Sequence, residues 1–191
     1  MRRFLRNRGA LALAAFLVVV PLQAQRGKDK GGAAVNSGAS AQDRIIREVR
    51  HELVMLPYYG VFDNLVYRVD GASVTLMGQV TRPTLKNDAG NVVKRIEGVE
   101  RVDNQIQVLP LSPMDDGLRR AEYRAIYDHP GLDRYAMQAV PPIHIIVDNG
   151  KVTLEGVVAT QSDKDTAGIR ANTVSGVFSV VNNLRLDSDK N

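Results

Sequence analysis

The 191-residue sequence predicts an α+β protein made of two copies of one small αββαβ unit, each with two helices packed on a three-stranded sheet. Three observations predict it. Ser73–Val80 (SVTLMGQV) recurs as Lys151–Val158 (KVTLEGVV), and the match runs without a gap from Leu65/Ile143 to Val108/Leu186 at a constant offset of 78. Such an offset, with Gly78/Gly156, Gly90/Gly168 and Gly98/Gly176 in register, marks an internal duplication. Within each copy, Val74, Leu76, Gly78 and Val80 (Val152, Leu154, Gly156 and Val158) alternate with a strand's period of two. Flanking these strands, apolar residues recur at helical spacing.

The first helix of copy one is carried by Ile45, Val49, Leu53 and Leu56, with Asp43 as the expected N-cap and Pro57 as the stop. Strands are expected over 64–69 and 73–81, joined by a tight turn at Asp70-Gly71-Ala72. The second copy has Asp148-Asn149-Gly150 there, a hairpin signal because both turn positions tolerate positive φ. A second helix is expected over 84–97 and again over 162–175, with Thr84 and Ser162 as N-caps and Gly98 and Gly176 as C-terminal αL residues. A closing strand is expected over 101–109 and 177–186. The copies are joined by the short, stiff Pro110-Leu-Ser-Pro-Met114. Copy two carries about five extra residues after Pro130, where 133–137 is expected to add a helical turn.

Two repeated features admit more than one reading. Gly90 and Gly168 lie mid-helix, where glycine costs about 1 kcal/mol relative to alanine. Either they let a helix backbone approach the strand glycines Gly78 and Gly156, or they mark a ligand site. Asn104 and Asn182 fall at core-facing positions. They are read either as a paired polar site or as asparagines bonding to local backbone.

The N-terminus has the pattern of a cleaved signal peptide over 1–24: arginines at 2, 3, 6 and 8, an apolar run from Ala10 to Leu22, and cleavage near Ala24, with an uncleaved anchor as the alternative. Residues 25–42, rich in Gly, Ala, Ser and Lys, read as a flexible linker. The units then span 43–110 and 114–187. There is no cysteine, hence no disulfide and no lipid-modified cysteine, so a periplasmic protein that is not a lipoprotein is expected. The sequence pI of about 9.5 is misleading, because the leader arginines account for the whole excess of base over the 21 acidic residues. A neutral mature chain gives no support to nucleic-acid binding.

The V-T-L-x-G strands (Val74 to Gly78, Val152 to Gly156), the closing G-V-x-x-V-x-N-x-I/L runs (Gly98 to Ile106, Gly176 to Leu184) and the helical glycines resemble the BON domain, found in osmotically inducible periplasmic proteins of the OsmY type. The resemblance implies a non-enzymatic envelope module, associating with phospholipid membranes or assisting envelope integrity and protein folding. It carries over no binding residue.

Little in the residues points to chemistry. His51, His129 and His144 have no second ligand at metal-binding spacing, and no nucleophile elbow, P-loop or dinucleotide fingerprint occurs. No catalysis, metal or cofactor is expected. The aromatics are unevenly placed: Tyr58, Tyr59, Phe62, Tyr123, Tyr127 and Tyr135 lie on or just after the first helix of each copy, and Arg119, Arg120 and Arg124 lie near the second set. Tyr58, Tyr59, Phe62, Tyr127 and Tyr135 with the three arginines form the expected membrane or partner surface. The other reading is that the rings cover the open end of each sheet. The expected function is therefore an envelope binding or scaffold protein contacting phospholipid surfaces or envelope proteins. A stress-related chaperone or spacer that binds protein clients or peptidoglycan is the alternative.

Overall fold

The computed structural model describes residues 31–190, so the leader expected over 1–24 lies outside the described residues. Copy one comprises α1 (Gly31–Val54), β1 (Asn64–Asp70), β2 (Ser73–Val80), α2 (Pro83–Val93), β3 (Arg101–Asn104) and β4 (Gln107–Val108). Copy two comprises α3 (Pro113–Tyr127), a 3-10 turn (Asp133–Met137), β5 (Ile143–Asp148), β6 (Lys151–Val158), α4 (Gln161–Asn172), β7 (Ser179–Asn182) and β8 (Arg185–Leu186). A second 3-10 turn, Asp187–Lys190, ends the described chain. The architecture is α+β, with the predicted αββαβ order in both copies.

Each sheet is mixed. The central strand β2 runs antiparallel to β1 and parallel to β3 and β4, and β6 stands in the same relation to β5, β7 and β8. A two-residue hairpin supplies the antiparallel neighbour and a helix crossover supplies the parallel one. Asn149, with φ 51°, begins the second hairpin turn in the left-handed region that its side chain tolerates. Each sheet buries one face under its two helices. Ile45, Val49, Leu53, Leu85 and Ala89 meet Val74, Leu76 and Val80 in copy one. Leu118, Ile126 and Ala167 meet Ile145, Val152 and Leu154 in copy two.

Several boundaries differ from expectation. Helix α1 begins at Gly31, so much of the expected linker is helical. Ala33, Ala34, Ala39 and Ala41 are strong helix formers, and an amphipathic segment already nucleated at 43–54 propagates through them, carrying Gly38 at a cost of about 1 kcal/mol. Pro83 and Thr160 open α2 and α4, ahead of the expected caps Thr84 and Ser162. Pro83 is preorganised for the first helical turn, and the Thr160 hydroxyl accepts from Asp163 N at 3.1 Å.

The closing strand is broken in two in each copy, and its asparagine is the cause. Asn104 Oδ1 accepts from Ile106 N (3.2 Å), turning the chain between β3 and β4, while Nδ2 donates to the Lys86 carbonyl of α2 (2.8 Å). Asn182 repeats both bonds with Leu184 N (3.2 Å) and the Lys164 carbonyl (2.7 Å). A Cβ on Gly90 or Gly168 would lie 2.8 Å from the asparagine Nδ2. The helical glycines therefore make room for asparagine, and are not set against the strand glycines. Gly78 and Gly156 face the neighbouring strand instead: at φ 105° and 121°, a Cβ there would meet the carbonyl oxygen of Asn64 or Pro142 at 2.0 or 1.9 Å.

Candidate functional site

The structure disperses the expected surface. Arg119 is 5% exposed, with Nη2 donating to the Val147 carbonyl (2.7 Å) and Nη1 paired with Asp116 (2.5 Å). Tyr127 is buried, its hydroxyl donating to the Ile143 carbonyl at 2.5 Å. Tyr135 is buried too; its hydroxyl donates to Asp163 and accepts from Ala159 N. These three residues seal the edge and end of the second sheet and are withdrawn from any membrane. Their helical stripe is the reason: Arg119 and Tyr127 lie on the flank of α3 that meets β5. Arg120 and Arg124 stay on the exposed flank.

Tyr59 and Phe62 join the two copies. The loop 57–63 is held by Asp63, a buried carboxylate that accepts from Gly60 N, Thr81 N and Thr81 Oγ1. Fixed in this way, the loop lies along the edge of β5, where Ile145 N donates to the Val61 carbonyl (2.8 Å). Tyr59 stacks on His144 with ring centroids 5.6 Å apart, and Phe62 meets Tyr123 edge-on at 6.4 Å. Val61 and Phe62 pack against the core of the second copy. Burial pushes the Tyr59 phenol up to about 12 and lowers His144, so both rings are neutral in this contact at neutral pH.

Beside this contact the copies enclose an open cleft of about 750 Å³. One wall is Arg50, Val54 and the β1 edge from Asn64 to Tyr67; the other includes Pro142, Glu155 and Arg185. Tyr58 points elsewhere. It is 73% exposed, has φ 68°, and carries the Arg82 guanidinium 4.7 Å above its ring. A positive φ on a bulky non-glycine residue is strained, and such strain concentrates at functional positions. Met55 (67% exposed) and Val54 extend this apolar tip at the end of α1.

One buried group went unnoticed in the sequence. Glu122 is 0% exposed and neither carboxylate oxygen has a hydrogen-bond partner. Desolvation pushes its pKa up to about 7. Superposing the core stripes of the two first helices, Ile45-Val49-Leu53 on Leu118-Glu122-Ile126, puts Glu122 where copy one has Val49. The signal was a lone acid four residues from Leu118 and from Ile126 on an apolar stripe. No group of three or more metal-ligating side chains that could hold an ion occurs among the described residues. No described helix is long and apolar enough to cross a membrane.

Comparison with curated proteins gives no match. Among solved structures, the chain is similar to CdsD, a structural protein of the type III secretion system of Chlamydia trachomatis, at 12% identity and TM-score 0.30, covering 75% of this chain and 92% of that one. A structure of the CdsD C-terminal domain is similar at 13% identity and TM-score 0.27, covering 74% and 96%. The BON domain model matches twice, at residues 42–110 and at 132–188, the second match beginning after α3. These two segments take in most of the chain and coincide with its two sheets, so the chain belongs to the BON domain family, as a tandem protein.

Proposed function

We propose that this chain is a non-enzymatic binding and scaffold protein of the cell envelope that meets phospholipid surfaces through the tip formed by Val54, Met55, Tyr58 and Arg82. BON-domain proteins are typically periplasmic or envelope-associated, and generally non-enzymatic. The observation that carries the lipid reading is the exposed, strained Tyr58 with Arg82 over its ring. A tyrosine ring suits the boundary between acyl chains and headgroups, and a guanidinium beside it offers planar donors to a phosphate. The exposed Met55 and Val54 add apolar surface that water does not favour.

Co-sedimentation of the chain from Gln25 onward with anionic and zwitterionic vesicles tests this. Anionic vesicles retain the protein, less so at higher salt, and a Tyr58→Ser/Met55→Ser variant is released. Equal retention of both proteins would sink the reading. The client-binding alternative also has an observation in its favour, the open edge of β1.

A further inference from the structure

The edges of β1 and β5 are the same edge in two copies, and they are occupied differently. Asp70/Ser73 and Asp148/Lys151 close the two-residue hairpins, so their backbone groups face the partner strand. Alternation then turns the backbone groups of Leu65, Tyr67 and Val69, and of Ile143, Ile145 and Val147, outward. On β5 all three positions are engaged. Ile143 O accepts from Tyr127, Ile145 N donates to Val61 O, and Val147 O accepts from Arg119. On β1, Val69 O accepts from Gln42 Nε2 (3.3 Å), and the Leu65 backbone meets the Tyr59 hydroxyl. Tyr67 is the counterpart of Ile145, and no partner engages its outward N–H or C=O among the described residues. It lies on the wall of the cleft.

The contact on β5 shows what such an edge accepts: a tight turn, closed by Asp63 N on the Gly60 carbonyl, whose Val61 carbonyl pairs with the strand and whose next side chain, Phe62, packs on the first helix of the copy at Tyr123. The superposed helix stripes place Arg50 where Tyr123 stands. Arg50 is exposed, lines the cleft, and has no ion-pair partner among the described residues. Its charge reaches the Tyr67 phenol, partly offsetting the upward shift that burial causes.

We propose that the open β1 edge receives a tight turn of a partner polypeptide, one carbonyl pairing with the Tyr67 amide and the next, acidic, residue meeting Arg50. The bond supplies the unpaired edge amide with an acceptor, as Val61 does on β5. It shares only Val54 with the lipid tip, whose Tyr58, Met55 and Arg82 lie outside the cleft.

The test uses the chain from Gln25 onward and the peptide Tyr-Gly-Val-Glu-Asp, patterned on Tyr59–Asp63, with a version carrying Lys in place of Glu. The acidic peptide binds, the Lys version binds about fivefold more weakly, and exchange of the Tyr67 amide proton slows on binding. Arg50→Glu, a change at an exposed position, reverses the preference between the peptides. Equal binding of both peptides, an unchanged Tyr67 amide in the bound state, or no peptide binding would each overturn the proposal. Protection of Tyr67 by anionic vesicles with no peptide binding would assign the cleft to lipid. Loss of vesicle binding by the Tyr58 variant with intact peptide binding would separate the two surfaces.

Discussion

The side-chain amide of Asn104 occupies the space in which Gly90 would carry a Cβ, 2.8 Å from Nδ2. Asn104 is not free to move aside, since it bonds both to helix α2 and to its own strand. Gly90→Ala therefore lowers stability by about 1–2 kcal/mol, although alanine is the better helix former by about 1 kcal/mol. In an Asn104→Ala background the obstruction is gone and the same substitution becomes stabilising by about 1 kcal/mol. Urea denaturation of the four proteins measures this reversal of sign as a coupling energy. Gly168 and Asn182 give the same cycle in copy two, where the spacing is again 2.8 Å.

Gly78 and Gly156 are stricter. Their positive φ and the backbone carbonyls facing them leave neither conformation nor space for a side chain. Gly78→Ala costs more than about 3 kcal/mol, since backbone of the adjacent strand has to shift. A thermal melt by circular dichroism shows the difference directly. A melting temperature for Gly78→Ala equal to that of Gly90→Ala would refute the distinction between a backbone and a side-chain obstruction.

Both glycine pairs were visible in the sequence as repeated residues, but their partners were not. Repetition reports that a position is constrained, whereas the constraint itself comes from tertiary contact: Gly90 meets a side chain fourteen residues later and Gly78 meets a strand fourteen residues earlier. The αββαβ order, the hairpins and the core stripes were legible because they follow from local periodicity. Three members of the expected surface, Arg119, Tyr127 and Tyr135, turned inward for a related reason. Helical spacing told that Arg119, Arg120, Arg124 and Tyr127 share a helix, but only packing against β5 decides that Arg119 and Tyr127 turn inward. The docking of loop 57–63 on β5 depends on the placement of two sheets, which no local pattern encodes.

That docking couples the unfolding of the two copies. Val61 and Phe62 belong to the first copy and pack against the core of the second. Tyr59→Ala/Phe62→Ala removes the ring contacts with His144 and Tyr123. Loss of about 1–2 kcal/mol of apolar burial lowers the melting temperature of the second unit by about 5 °C or more. Calorimetry then resolves two transitions in the variant, against a single one in the parent chain. One unchanged transition would show that the loop contact is not what joins the units.

The buried Glu122 makes stability depend on pH. Its pKa rises from 4.5 in the unfolded chain to about 7 in the folded one. Below the lower value both states are protonated and folding carries no ionisation penalty. Between the two values the unfolded chain ionises while the folded one does not, so the stability supplied by the neutral carboxyl is lost as pH rises to about 7. The change amounts to about 3 kcal/mol. His144, which burial holds below its ordinary pKa, acts in the opposite sense, because its stabilising effect is lost as pH falls. The difference between parent and Glu122→Gln isolates the glutamate: the variant is as stable as the parent near pH 4.5 and more stable at pH 8. Glu122→Val, restoring what copy one has at Val49, gives at least as large a gain. Urea midpoints for the three proteins at both pH values decide the matter, and a Glu122→Gln variant less stable than the parent at pH 8 would show that the carboxylate is stabilising when ionised.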